Sequence, residues 1–273
     1  MGRRAVVLCV CSAALGTAVA TTATAATTQT FTTAQSPFPS LSGSGAVPNQ
    51  GTCTSSAGPS QAACLPREPY DVYSARGSQD NFFTFDLRSS CVASAVTLRL
   101  VRGSQLYTGG TMGTSDYTFR EVTTPAEIVN VPGGYPFSPQ PFFEDSQRIS
   151  QDLRDGPTYG GGPYPIDGSP QDALSFPLND AGVRGFNAAR GGFFTVGGSG
   201  GGHFFVDPTG HLRRNPIFSS VTDPGTLVVT CALPANKDQC KNGGWQSYGV
   251  FKNQGDCVSF VATGGKNPPA NSP

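Results

Sequence analysis

Two neighbouring stretches, Asn81-Phe82-Phe83-Thr84-Phe85-Asp86-Leu87 and Ala95-Val96-Thr97-Leu98-Arg99-Leu100-Val101, decide the fold class. In the second, Val96, Leu98 and Leu100 fall on one face and Thr97, Arg99 and Val101 on the other. A period of two is the mark of a strand buried on one side and wet on the other. Similar strand-like words recur downstream as DYTFREV (116–122), ALSFPL (173–178), GGFFTV (191–196), HFFVD (203–207) and TLVVTC (226–231), divided by Gly, Pro and Asp turns. Seven or so short strands with this punctuation predict an all-β protein, a single β-sandwich of jelly-roll-like character over 80–232. One or two short helices interrupt it, around 145–153 and 179–189. In the second, Asn179 or Asp180 caps the first turn, Val183 and Phe186 share an inward face, and Gly191 ends the helix.

Outward from this core the composition changes. Residues 1–20 read MGRRAVVLCVCSAALGTAVA: a basic start at Arg3 and Arg4, an apolar run over 5–15, then Ala18-Val19-Ala20. That is the layout of a cleaved secretory signal peptide, with Ala23-Thr24-Ala25 as a second cleavage option. Spanning a bilayer takes roughly 20 apolar residues, more than this run supplies. Cys9 and Cys11 lie inside the apolar run and leave with it. The spacer over 21–79 is rich in Thr, Ser, Ala, Gln, Pro and Gly, which predicts a mostly irregular or disordered segment.

The charge balance excludes whole classes of partner. The 18 Lys and Arg, less Arg3 and Arg4 of the leader, leave 16 against 18 Asp and Glu, a net charge of about −2. Such a chain has no electrostatic case for nucleic acid or for an anionic membrane. No later stretch is long and apolar enough for membrane insertion. With 35 Gly, 23 Pro and 18 Phe, the composition favours short strands joined by turns.

Six cysteines remain beyond the leader: Cys53, Cys64, Cys91, Cys231, Cys240 and Cys257. An even set in an exported chain argues for disulfides, although six cysteines admit 15 pairings and the sequence does not choose among them. Loop logic favours Cys53 with Cys64, Cys91 with Cys231, and Cys240 with Cys257. A zinc site is the competing reading, disfavoured because no CxxC pair exists and His203 and His211 lie far from the cysteines.

The order of TFDL, AVTLRLV, YTFREVTTPAEIV, ISQDLRDGPTYGG and LSFPLNDAGVRGFNAARGGFFTVGG resembles an exported β-sandwich domain found in extracellular proteins of actinobacteria and other bacteria. The tail over 236–267, NKDQCKNGGWQSYGVFKNQGDCVSFVATGGKN, closely resembles a small C-terminal motif of many secreted actinobacterial proteins. These resemblances imply export and a shared module over 233–273, not a reaction. A Cys240 to Cys257 bridge closing a loop with Trp245, Tyr248 and Phe251 can order a segment too small to fold alone.

Four constellations carry chemical possibilities. Gly197-Gly198-Ser199-Gly200-Gly201 satisfies GxSxG, and Asp207 and His211 follow in the order of a serine hydrolase. The context is wrong, since a nucleophile elbow needs a strand turning into a helix, and the glycines read as a plain loop. His203, Asp207 and His211 make an incomplete metal set, and a surface hairpin is the simpler reading. Glu144, Asp145, Asp152, Asp155, Asp167 and Asp172 offer oxygens for calcium or a carboxylate pair for glycoside cleavage, but acidic residues around a short helix are usually a solvated face. The aromatics are the best case for a binding role: Tyr107, Tyr159 and Tyr164 in Gly and Pro loops, Trp245 and Tyr248 in the tail. Tyr159, Tyr164, Trp245 and Tyr248 are therefore the candidate ligand-binding residues, against the alternative that they pack their own loops. The sequence reads as a secreted, non-enzymatic structural or glycan-binding protein without a cofactor, its partner a glycan or cell-envelope component. A secreted hydrolase and an adhesion module acting through the tail are the rival readings.

Overall fold

A computed structural model describes residues 27–33, 50–54, 63–66, 73–74, 77–101, 114–130, 141–165, 173–200, 204–206, 212–214 and 224–270. The leader, Tyr107, Asp167, Asp172, His203, Asp207 and His211 lie outside the described residues.

In chain order the elements are β1 (Thr28–Thr32), β2 (Gln50–Thr54), β3 (Ala63–Pro66), β4 (Tyr73–Ser74), β5 (Gly77–Asp86), β6 (Ala93–Val101), β7 (Thr114–Glu121), α1 (Ala126–Val129), α2 (Pro141–Asp155), β8 (Thr158–Pro165), β9 (Ala173–Pro177), α3 (Asp180–Ala188), β10 (Phe193–Gly200), β11 (Phe204–Val206), β12 (Leu212–Arg214) and β13 (Thr226–Cys231). The tail adds 3₁₀ turns at Lys237–Cys240 and Gly244–Tyr248 and helix α4 (Gln254–Ala262). One sheet runs β1-β13-β6-β9; the other runs β3-β2-β5-β10-β7-β8, with β4 beside β5, and β11 pairs with β12 apart from both. Every pairing is antiparallel. The nested pairs β7 with β8, β6 with β9, β5 with β10 and β1 with β13 are those of one long ribbon rolled on itself, the jelly-roll connection.

The period-two phase seen in the sequence sets the core. Phe83, Phe85, Val96, Leu98, Leu100, Phe119, Phe176, Phe194, Val196, Leu227 and Val229 fill the space between the sheets. Phe119 packs edge-on against Phe176 at 5.0 Å. The opposite phase of β5 faces the helices, where Phe82 joins Val129 of α1 and Ile149 and Leu153 of α2 in a second cluster. The two anticipated helices are α2 and α3. Asn179 caps α3 by accepting from the Gly182 amide at 3.0 Å. Helix α4 has its own cap: Asn253 accepts from the Asp256 amide at 2.9 Å, while the Asp256 carboxylate accepts from the Lys252 amide at 3.0 Å.

The 21–79 segment departs from its irregular expectation by supplying β1 to β4. β1 adds to the edge of the first sheet beside β13, and β2 sits between β3 and β5 in the second. Thr-rich words such as TQTFT look like low complexity but have high β-propensity, and β1 alternates between exposed Thr28, Thr30 and Thr32 and half-buried Gln29 and Phe31.

Cys91 is bridged to Cys231 and Cys240 to Cys257. Cys53 is also disulfide-bonded, and it stands opposite Cys64 in the ladder of β2 and β3. No helix among the described residues is long and apolar enough to cross a membrane.

Candidate functional site

The antiparallel order gives the sandwich two unlike ends. At one end the β5 to β6 turn is short and clasped to the start of β10, with the Leu87 amide donating to the Gly192 carbonyl at 2.8 Å and the Gly191 amide to the Leu87 carbonyl at 3.1 Å. The Cys91 to Cys231 bridge ties β6 to β13 there. The tail seals the same end: the Val92 amide and the Arg190 guanidinium both donate to the Ser247 carbonyl, at 2.9 and 2.8 Å. Arg190 also reaches the Ser90 carbonyl at 3.3 Å. Val250, Phe251, Phe260, Cys240 and Cys257 belong to the same buried cluster as the sandwich interior. The tail is thus a plug in the core, not a separate appendage.

At the other end, β1, β2, β6, β8 and β10 finish and β3, β5, β7, β9 and β13 begin. In the second sheet inward positions there change from Phe to neutral polar groups, while Leu100 and Leu174 keep the first sheet apolar. The Gln50 side-chain oxygen accepts from the Thr33 hydroxyl at 2.5 Å and from the Gly225 amide at 2.8 Å, lacing β2 to the ends of β1 and β13. Asn81 is fully buried and its side-chain oxygen accepts from the Tyr117 hydroxyl, itself buried. The other head of that amide, Nδ2, is buried without a partner. Gly198 makes this arrangement possible: a Cβ there would stand 2.5 Å from the Tyr117 ring and hydroxyl. Gly162, in register with Tyr117 on β8, has no atom within 4 Å of where its Cβ would be.

The outer face of β5 carries a different polar set. The Asp80 carboxylate, fully buried, accepts from the Ser150 hydroxyl at 2.7 Å and from Arg154 at 2.6 Å. The guanidinium pKa is raised, first because it hydrogen-bonds Asp80. Thr84 meets the Thr195 hydroxyl at 3.0 Å and accepts from Asn130 at 3.1 Å. These bonds pin α1 and α2 to the sheet.

The candidate residues fall into place unevenly. Tyr159 and Tyr164, expected on exposed loops, are buried at 4 and 5 % exposure. Their GGGPYP context is strand β8, and Tyr159 stacks on Phe194 at 5.9 Å with its ring laid over Gly185 of α3 and its carbonyl and Cβ against Gly182. Burial, and then the neighbouring Glu121 carboxylate to which it hydrogen-bonds, push its phenol pKa well above the ordinary range. Neither ring has a free face for stacking on a ligand. Trp245 and Tyr248 are half-buried and packed against the core, Tyr248 edge-on to Phe251 at 6.0 Å. Ser199 lies within β10 opposite Thr118, a paired strand position. Gly197 and Gly198, expected in a loop, are strand residues; a Cβ at Gly197 would stand 2.8 Å from the Leu153 carbonyl, so it is close packing with α2 that requires glycine. Asp152 is not a solvated charge: its oxygens accept four bonds, from the amides and hydroxyls of Thr123 and Thr124, at 2.7 to 2.9 Å. Glu144 and Asp145 lie on the first half of α2, and Asp155, at its end, is exposed.

The residues that sequence reading passed over are Gln50, Asn81 and Tyr117. One signal for Asn81 was present, since it shares the inward phase of Phe83 and Phe85 and is the polar exception on that face. No protein-family model matches the chain, and no curated protein matches it.

Proposed function

We propose that the chain is an exported, non-enzymatic binding protein that uses the polar end of its jelly roll to hold a glycan of the cell envelope or its surroundings. The observation that carries this reading is the buried neutral polar layer of Gln50, Asn81 and Tyr117 at one end of an otherwise apolar interior. A strand sandwich is most stable with apolar inward positions, and departures from that rule concentrate at functional sites. Amide and phenol groups donate and accept in fixed directions, which suits the hydroxyls of a sugar. Export is supported by the disulfides, which persist in oxidising compartments, and by the signal-like 1–20. Binding is favoured over hydrolysis because Ser199 sits in a paired strand and the Asp152 carboxylate is taken up by the amides and hydroxyls of Thr123 and Thr124.

A glycan array and a cell-wall pull-down with the full mature protein test the proposal. Saturable capture that falls in Tyr117→Phe supports it. Capture unaffected by Tyr117→Phe moves recognition elsewhere, and turnover of a bound glycan would replace binding by catalysis.

A further inference from the structure

Resting on the binding reading above, we infer that Asn81 is a recognition residue whose second amide head takes a neutral hydroxyl group of the ligand. Two costs meet at this point of the fold. An amide left with one head unmet in the interior has lost its water without a replacement, and native proteins satisfy the great majority of such groups. Tyr117 fixes one head, so the other is turned away from it with no protein partner. A hydroxyl, which both donates and accepts, meets whichever head Tyr117 leaves over. Glycine inside a strand is unfavourable, yet Gly198 is required so that Tyr117 can cross β10 to reach Asn81. A Phe and Leu pair in these two places would fill the core without any of this, so packing alone does not explain the pair.

Charge decides the ligand class. The side chains named on the inner face at this end, Thr33, Gln50, Asn81 and Tyr117, are all neutral. Asp80, next to Asn81 in sequence, belongs to the opposite phase of β5 and is held by Ser150 and Arg154, and Asp116, next to Tyr117, is exposed. An ionic ligand would lose its hydration without meeting a counter-charge among these groups, which is costly, whereas a neutral hydroxyl needs only the amide. Beside Tyr117, no atom of the described residues lies within 4 Å of a Cβ built at Gly162. Because Asn81 and Tyr117 are at 0 and 1 % exposure, entry requires the strand ends to part. Association should then be slow, below about 10⁵ M⁻¹ s⁻¹.

The test uses the full mature chain labelled with ¹⁵N at asparagine, its Asn81 side-chain signal assigned by its loss in Asn81→Leu. The protein is titrated with cellobiose and N,N′-diacetylchitobiose, and separately with a uronic-acid disaccharide and with inorganic phosphate. The inference expects the Asn81 amide signals to move saturably with a neutral sugar and not with the charged probes, and Tyr117→Phe, which releases the amide, to weaken binding about tenfold. Saturable sugar binding that leaves the Asn81 amide unmoved overturns the inference while the binding function stands. Binding of the charged probes alone overturns the neutral class. No binding by any probe overturns both.

Discussion

The two ends of this jelly roll are built to opposite rules. At the sealed end, apolar inward groups are covered by the tail, a guanidinium crosses the seam between tail and sandwich, and a disulfide ties the sandwich's own strands beside it. At the other end, the inward groups are amides and phenols, and one amide head is left without a partner. The contrast separates stability from recognition along the strand axis. It also reassigns the C-terminal motif, whose aromatics complete the core at the stable end.

The comparison can be broken most directly at the sealed end. Replacing Cys91 and Cys231 together with serine removes a bridge of sequence separation 140, and a loop of that size stabilises by about 4 kcal/mol. Guanidinium unfolding should show a large drop in midpoint; an unchanged midpoint would mean that the bridge is not structural. Phe251→Ala should cost about 3–4 kcal/mol, since the ring is buried between Tyr248 and Phe260 in the shared core. A loss under about 1 kcal/mol would detach the tail from the sandwich energetically.

At the polar end the effects are smaller. Gly198→Ala should destabilise by about 2 kcal/mol, because the new methyl group meets the Tyr117 ring and neither backbone can retreat. Thermal unfolding checks this, and ligand capture should fall with it. Asn253→Ala removes the cap of α4 and should cost about 1 kcal/mol without touching capture.

The last effect is absent at neutral pH. Tyr159 has its pKa raised in the folded chain, so the native state holds the phenol proton more tightly than the unfolded chain. Its contribution is complete below roughly pH 10, the ordinary phenol value, and is lost as the pH rises from there toward the folded value. Urea midpoints measured from pH 8 to 11 should fall at the alkaline limit, and less so in Tyr159→Phe.

The sequence pattern revealed the sandwich because alternation in AVTLRLV and TLVVTC is imposed by one-sided burial, and the structure keeps that phase at Val96, Leu98, Leu100, Leu227 and Val229. The pairings Cys91 to Cys231 and Cys240 to Cys257 follow the loop logic as well. Strands β1 and β2 were not legible, since Thr, Ser and Gln mark both spacers and edge strands, and only the partner strand decides. Tyr159 was misread for a related reason: Gly160 to Gly162 look like a loop, yet β8 needs them where β7 and the start of α3 approach its backbone. The polar layer was hidden because Gln50, Asn81 and Tyr117 lie on three strands far apart in sequence, and only the rolled ribbon brings them to one end.

The most direct test sets Phe251→Ala beside Tyr117→Phe and measures both stability and glycan capture for each, at a temperature where both are folded. The account predicts that Phe251→Ala loses stability and keeps capture, while Tyr117→Phe keeps most of its stability and loses capture. Capture lost in Phe251→Ala and kept in Tyr117→Phe would place recognition at the sealed end and contradict it.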